Sequence, residues 1–193
     1  MKHSVEEYLR AILKNPLEDG WDENGEPPLC LIYQEVLKII NPFDEILEVG
    51  PGYGEFSLYL LNQGKKVEML DIKEDDLVIM KKICEEKGYN YSFHLDDIST
   101  SKLSKTYDAV FAIEVVEHIE DYKDAILKMM SLAKYKVVLT TPVLNAFYDP
   151  SHKHFFLEPD FEFIKSYKIK KIITAKVDIP VEWKRVFLIE IDI

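Results

Sequence analysis

The sequence predicts an α/β fold of three layers, with helices on both faces of a mostly parallel sheet. Two observations carry this: from residue 45 onward short apolar segments alternate with helix-periodic ones, and glycine turns or stops separate them. A third concerns the end of the chain, where two strand-like segments follow one another with no helix between, so an antiparallel pair closes the sheet.

Two helices are expected before that alternation begins. Ser4 with Glu7 makes a capping box, and Val5, Tyr8, Leu9, Ile12 and Leu13 share one face until Asn15-Pro16 ends the run. A polar loop with Trp21, Asp22, Asn24 and Gly25 follows. Pro27-Pro28 then opens a second helix, whose stripe of Leu29, Ile32, Tyr33, Val36, Leu37 and Ile40 stops at Asn41-Pro42. Strands are expected over 45–49, 66–71, 91–95, 108–112 and 136–141, and helices over 55–63, 74–87 (stopped by Gly88) and 115–134. The closing strands are expected over 167–177 and 184–193, joined by a turn around Pro180, which makes seven strands in all. At 193 residues, without repeats or linkers, the chain is expected to be one domain with one sizeable core.

Charge and composition exclude several classes of function. A net charge of -11 argues against broad attachment to nucleic acid or an anionic membrane, both of which need summed positive charge. Lys165, Lys168, Lys170, Lys171 and Lys176 are the exception, and they are expected to form a solvated strand face. No apolar run approaches the ~20 residues that span a bilayer. The opening MKHSVEEYLR carries acids where a signal peptide is apolar, so a cytoplasmic location is expected. Cys30 and Cys84 lack metal-site or disulfide spacing and are expected to be small buried hydrophobes in a reducing compartment.

The most informative segment runs Glu48-Val49-Gly50-Pro51-Gly52-Tyr53-Gly54. Glycines between a strand and a helix let the backbone turn sharply and approach a ligand closely. Asp71, at the end of the next strand and 21 residues beyond Gly50, stands where a carboxylate can accept hydrogen bonds from ribose hydroxyls. Dinucleotide sites favour GxGxxG and hold a pyrophosphate; here the spacing is GxGxG, preceded by Glu48, whose charge would repel pyrophosphate. An acid there suits a ligand bearing an ammonium and a sulfonium, S-adenosylmethionine, and at 193 residues a dehydrogenase's added substrate domain is not expected.

This glycine segment resembles motif I of the class I S-adenosylmethionine-dependent methyltransferases, and the similarity runs from about residue 45 to 156. The resemblance implies a Rossmann-like methyltransferase fold, with 43–193 as the core and 1–42 as a helical lid or cap. It implies that Glu48, Gly50, Gly52 and Gly54 surround the methionine part of S-adenosyl-L-methionine, and that Asp71, followed by Ile72, binds the ribose. Phe93-His94-Leu95-Asp96-Asp97-Ile98 is similar to the segment after the third strand, where an acid meets the adenine amino group. Asp97 and Ile98 align there, with Asp96 one residue away. A solvated turn is the plain alternative for both aspartates.

The stretch Tyr107 to Ile119, with its Ile113-Glu114-Val115-Val116-Glu117-His118 string, resembles the post-strand-four signature of the ubiquinone, menaquinone, glycan and small-metabolite enzymes of that superfamily. It implies that backbone near Ala112 and Ile113 lines the cofactor and that Glu114 and His118 face the transfer site. On the expected helix, Val115, Ile119, Tyr122, Ile126, Met129 and Ala133 form the buried stripe. Glu114, Glu117 and His118 then share a side away from it, with Asp121 and Lys128 also facing outward. With His152 or His154 this set is similar to the metal site of small-RNA 3'-terminal 2'-O-methyltransferases, and carboxylate with imidazole suits a divalent ion. The plainer expectation is no metal, with Glu114, Glu117, His118 and His154 as the alternative ligand set.

The loop from Thr140 to Phe156 resembles the acceptor-bordering T-P-N…D-P-x-H loop of these enzymes, although Val143 stands where the family has asparagine and Asn145 is the substitute. His152 and His154, two apart, are expected to point the same way if the segment is extended, and either is a candidate base toward an acceptor hydroxyl. His94 is expected to be structural and His3 solvated. No N/D-P-P-Y/F follows the fourth strand, and the arginine methyltransferases' paired-glutamate hairpin is missing, which disfavours base-amine and arginine acceptors. The expected activity is methyl transfer to a small metabolite or sugar, leaving S-adenosyl-L-homocysteine; an RNA 2'-hydroxyl or a non-catalytic cofactor-binding module are the alternatives.

Overall fold

The computed structural model describes residues 4–13, 28–143, 149–177 and 182–193, with side chains described for all of these but 28–31 and 171–185. Outside the described residues lie His3, Asn15-Pro16, the polar loop with Trp21, Asp22, Asn24 and Gly25, the stretch containing Asn145, and the turn at Pro180. The side chains of Cys30, Lys171 and Lys176 lie outside them too.

Alternating apolar residues build the sheet. Strands β1 (Glu45–Val49), β2 (Lys66–Asp71), β3 (Ser92–Leu95), β4 (Tyr107–Ile113) and β5 (Ala133–Pro142) run parallel; β6 (Tyr167–Val177) and β7 (Glu182–Asp192) form the antiparallel pair. The seven strands lie in the order β3-β2-β1-β4-β5-β7-β6, with β7 inserted antiparallel beside β5. The order reverses direction at β1 and β4, so the crevice beyond their carboxyl ends is where an open sheet of this kind exposes a ligand site.

Strand periodicity divides the core in two. Ile46, Val67, Met69, Ala109, Phe111, Val138 and Leu188 face one side, where they meet Leu9 and Ile12 of α1 (Val5–Ile12) and Ile32, Val36 and Ile40 of α2 (Pro28–Ile40). Phe56 and Leu60 of α3 (Glu55–Asn62), and Met80 and Ile83 of α4 (Val78–Lys87), complete that layer. On the other side Leu47, Leu70, Val110, Val137 and Ile189 are covered by Ala125, Ile126 and Met129 of α5 (Tyr122–Leu132) and by Phe156, Phe161 and Ile164. The three-layer expectation therefore holds.

The caps follow the sequence closely. Ser4 and Glu7 form the capping box of α1, and Gly88, in the left-handed conformation, ends α4. Arg10 of α1 bridges to Glu86 of α4 at 2.7 Å, and Lys82 to Glu6 at 3.2 Å, so α1 lies docked along α4. Cys84 is a buried thiol, and His94 is held in β3 by Glu68 at 2.7 Å, as expected for a structural histidine. Lys168 and Lys170 are exposed but pair with Asp192 and Glu35, leaving no unpaired cationic tract among the described lysines of β6.

One helix differs from expectation. Instead of running over 115–134, the chain makes a single 3-10 turn at Val116–His118, becomes extended at Ile119, and starts α5 only at Tyr122. The apolar stripe through Val115, Ile119 and Tyr122 is continuous in sequence, but tertiary contacts break the helix there.

Candidate active site

The chain leaves β1 at Val49 and turns on three glycines. Gly50, Gly52 and Gly54 have φ values of 68°, 56° and 78°, a region that side chains other than glycine rarely occupy. The Gly50 N–H donates to Leu70 O at 2.9 Å, tying the turn to β2. A Cβ on Gly50 would lie 2.5 Å from Val115 Cγ2, and one on Gly54 would lie 2.9 Å from Met80 Cγ. A Cβ on Gly52 would meet none of the described residues within 4 Å. The outer glycines thus serve internal packing, and the middle one leaves open space for an approaching ligand.

Two carboxyls are buried at the foot of this turn. Glu48, 4% exposed in β1, accepts a hydrogen bond from Ser57 Oγ of α3. Burial, with the Glu55 carboxylate nearby, pushes its pKa up to about 8. Glu55 opens α3; its Oε1 accepts from Tyr33 Oη at 2.8 Å, while its Oε2 is buried with no hydrogen-bond partner among the described residues. Burial raises this carboxyl too. Tyr33 comes from α2 and stacks on Phe56, centroids 4.6 Å apart and planes 3° apart. Sequence reasoning missed Glu55 and Tyr33: the first read as an ordinary helix start, the second as one more stripe residue.

Asp71 ends β2 half-buried, its Oδ1 accepting the Lys73 N–H at 3.2 Å and its pKa raised by burial. Beside it Ile72 is 71% exposed, an apolar side chain left at the crevice edge. The Asp71 carbonyl accepts the Asp96 N–H at 2.9 Å and so positions the end of β3. There the two aspartates divide. Asp96 Oδ2 accepts from Ser101 Oγ at 2.6 Å, whereas Asp97 is exposed and its Oδ1 caps its own turn through Ser99. The Ile98 side chain is buried beneath them.

Beyond β4, Ile113 is followed by Glu114 with φ 54°, the one described non-glycine residue in the left-handed region. Such backbone is retained only where its surroundings hold it. Here the Glu114 N–H donates to Thr140 O and Oγ1, both at 3.1 Å, and its carboxylate accepts from Thr140 Oγ1 at 3.2 Å. The twist at Glu114 and the tighter 3-10 turn rotate Glu117 inward, which corrects the outward face expected of a helix. Glu117 is 1% exposed, and its Oε2 accepts from Thr141 Oγ1 at 3.1 Å.

The histidines also separate. His118 and His152 pack edge to face, centroids 4.8 Å apart, and donor atoms of Glu117, His118 and His152 lie within 4.8 Å of one another. His154 does not join them: its Nε2–H donates to Glu120 O at 2.9 Å, and its ring packs on Tyr122 and Phe156. A turn at Asp149, closed by the His152 N–H to Asp149 O at 3.0 Å, replaces the extended segment on which the two histidines would point together. The trio that converges therefore contains His152 where the alternative ligand set had His154, and Glu114 lies with Thr140 outside it.

A methyltransferase domain family model matches residues 21–171. An enzyme named ubiquinone biosynthesis O-methyltransferase from Rickettsia canadensis is 27% identical over 113 residues, 58% of this chain and 46% of that protein. (S)-coclaurine N-methyltransferase from Papaver somniferum is 32% identical over 112 residues, 56% of this chain and 31% of that protein. The chain spans about half the length of the first curated relatives it matches. Magnesium protoporphyrin IX methyltransferase from Synechocystis, solved with bound S-adenosylhomocysteine, shares the fold at a TM-score of 0.63 and 19% identity, over 83% of this chain and 82% of that one. Because the family match takes in β1 to β5 and every loop that borders the crevice, the chain belongs to the methyltransferase domain family, within the class I S-adenosylmethionine-dependent superfamily that its glycine turn resembles.

Proposed function

We propose that the chain binds S-adenosylmethionine in the crevice beyond β1, β2 and β4 and transfers its methyl group to a hydroxyl of a small molecule. The observation that carries this is the buried pair Glu48 and Glu55, with the orphaned Glu55 Oε2, at the foot of a glycine turn open at Gly52. Two desolvated carboxyls favour a cation, and the cofactor's ammonium is one; a dinucleotide would instead bring a doubly negative pyrophosphate to the same turn.

In this reading Asp71 accepts the ribose hydroxyls and Ile72 covers one face of the base. Asp97 and the Ile98 backbone meet the adenine edge, with Asp96 fixed to Ser101 behind them. Backbone at Ile113 and Glu114 lines the methionine end. Bound there, S-adenosylmethionine supplies a methyl group already activated by its sulfonium. The chain's task is then to hold the acceptor in line, exclude water and take up a proton. His118 and His152, which pack together, take that last role in this reading, and His154 braces the loop. Tyr33 links α2 to Glu55, which supports α1 and α2 as a cap on the 43–193 core within one domain. The O-methyltransferase names of the Rickettsia relatives support a hydroxyl acceptor.

Calorimetric titration tests the reading. S-adenosylmethionine is expected to bind the wild-type chain, and Asp71→Ala to weaken it by roughly 10- to 100-fold, the worth of hydrogen bonds to a charged group. Unchanged affinity in the variant would sink the assignment.

A second reading, a divalent ion at Glu117, His118 and His152 assisting transfer to an RNA 2'-hydroxyl, is favoured by the convergence of those donor atoms. The net charge of -11 opposes an RNA acceptor. Methyl transfer to phenol, a hydroxyl probe that does not itself chelate, is expected to survive dialysis against EDTA. Its loss, with recovery on adding manganese, would put the metal reading in place of the first.

A further inference from the structure

The loop after β5 returns to the transfer site carrying two residues that the proposed chemistry has not used. Asp149 Oδ1 accepts both the Ser151 N–H at 2.8 Å and the Ser151 hydroxyl at 2.6 Å. Ser151 Oγ also lies 3.0 Å from His118 Nδ1, and the Ser151 carbonyl oxygen lies 3.3 Å from the same nitrogen. The loop that carries them is clamped to the turn bearing His118: the N–H groups of Lys153 and His154 donate to Glu117 O at 2.8 and 3.2 Å.

Proton counting along this chain leaves one arrangement. Ser151 has a single hydroxyl proton, and Asp149, whose pKa its Ser151 hydrogen bonds hold below the usual value, takes it. Ser151 Oγ can then only accept from His118. A carbonyl oxygen never donates, so the second contact demands the same of Nδ1. A neutral imidazole has one N–H; with it on Nδ1, the basic lone pair is on Nε2.

We propose that Asp149 and Ser151 are positioning residues that lock neutral His118 in its Nδ1–H tautomer, leaving Nε2 as the acceptor nitrogen at the transfer site. In the other tautomer Nε2 would present a proton where a base is needed, and the ring could not receive one from an acceptor hydroxyl. The functional consequence rests on the methyl-transfer reading; the tautomer itself does not.

The test is nitrogen-15 NMR of the full ligand-free chain near pH 8, with the His118 signals identified by their loss in His118→Gln. A protonated Nδ1 and a bare Nε2 are expected in the wild type. Ser151→Ala and Asp149→Asn are each expected to lower the ratio of Nδ1–H to Nε2–H roughly five- to tenfold, the worth of one hydrogen bond. Ser151→Thr, which keeps the hydroxyl, is expected to retain the wild-type ratio. Unaltered His94 signals in every variant would show that the fold is intact. A wild-type His118 protonated on Nε2, or a ratio indifferent to both Ser151→Ala and Asp149→Asn, would overturn the proposal. Failure of the chain to bind S-adenosylmethionine in calorimetry would instead overturn the methyl-transfer reading and leave the tautomer result standing.

Discussion

Gly50→Ala is expected to lower the stability of the ligand-free chain by roughly 2–4 kcal/mol, through two additive causes. The residue sits at φ 68°, where an L side chain crowds its own carbonyl, and its new Cβ would lie 2.5 Å from Val115 Cγ2. For a chain of this size the change corresponds to a fall of about 5–15 °C in melting temperature. The two causes can be separated. Adding Val115→Ala removes the clash and should recover part of the loss, while the backbone strain remains. A melting temperature for Gly50→Ala within a degree of wild type would show that the close approach of the glycine turn to Val115 is not maintained in solution. The same contact ties the glycine turn to the turn after β4, so under the proposed function affinity for S-adenosylmethionine is expected to fall with stability.

Glu48→Gln is expected to move stability and affinity in opposite directions. Burial holds the Glu48 pKa near 8 in the folded chain, against an ordinary value of 4.5. Between those limits the folded state keeps a proton that the unfolded state has lost, so the contribution of Glu48 to stability declines as pH rises from 4.5 to 8 and then levels. Glutamine can still accept the Ser57 hydrogen bond and carries no charge to desolvate. The variant should therefore match wild type near pH 4.5 and exceed its stability by roughly 1–3 kcal/mol at pH 8. Binding a cation reverses the preference, because an ammonium favours the ionised carboxylate. Wild-type affinity for S-adenosylmethionine should consequently rise between pH 6 and 8, and Glu48→Gln should lose that rise along with about 100-fold in affinity at pH 8. Denaturant melts at both pH values and calorimetry on the same samples read both quantities. A wild-type stability curve parallel to that of the variant between pH 5 and 8 would exclude a proton held by Glu48.

The proposed cofactor side of the crevice was legible because its parts are local. Gly50, Gly52 and Gly54 follow a strand and precede a helix, and Asp71 ends the next strand, so the period of the chain alone places them at one edge of the sheet. The transfer side was not legible in the same way. Val115, Ile119 and Tyr122 continue the stripe of α5 backwards, and nothing in their spacing announces that Glu114 adopts a left-handed backbone. Glu117 consequently read as solvated surface, although its burial depends on Thr141, 24 positions later. His152 and His154 looked equivalent until the turn at Asp149 sent one to His118 and the other to Glu120.

From its sequence alone this protein has an α/β sheet of determined strand positions, a capped first helix, and a glycine turn with a carboxylate one strand away. Each of these follows from residues within a few positions of one another, where backbone preference and apolar period dominate. The pairing of β4 with β5 decided the rest: it sets Thr140 and Thr141 opposite the end of β4 and brings the loop with Asp149, Ser151 and His152 onto His118. Contacts of that kind join residues 24 to 33 positions apart, and they depend on strand register and on hydrogen bonds that only folding brings within reach.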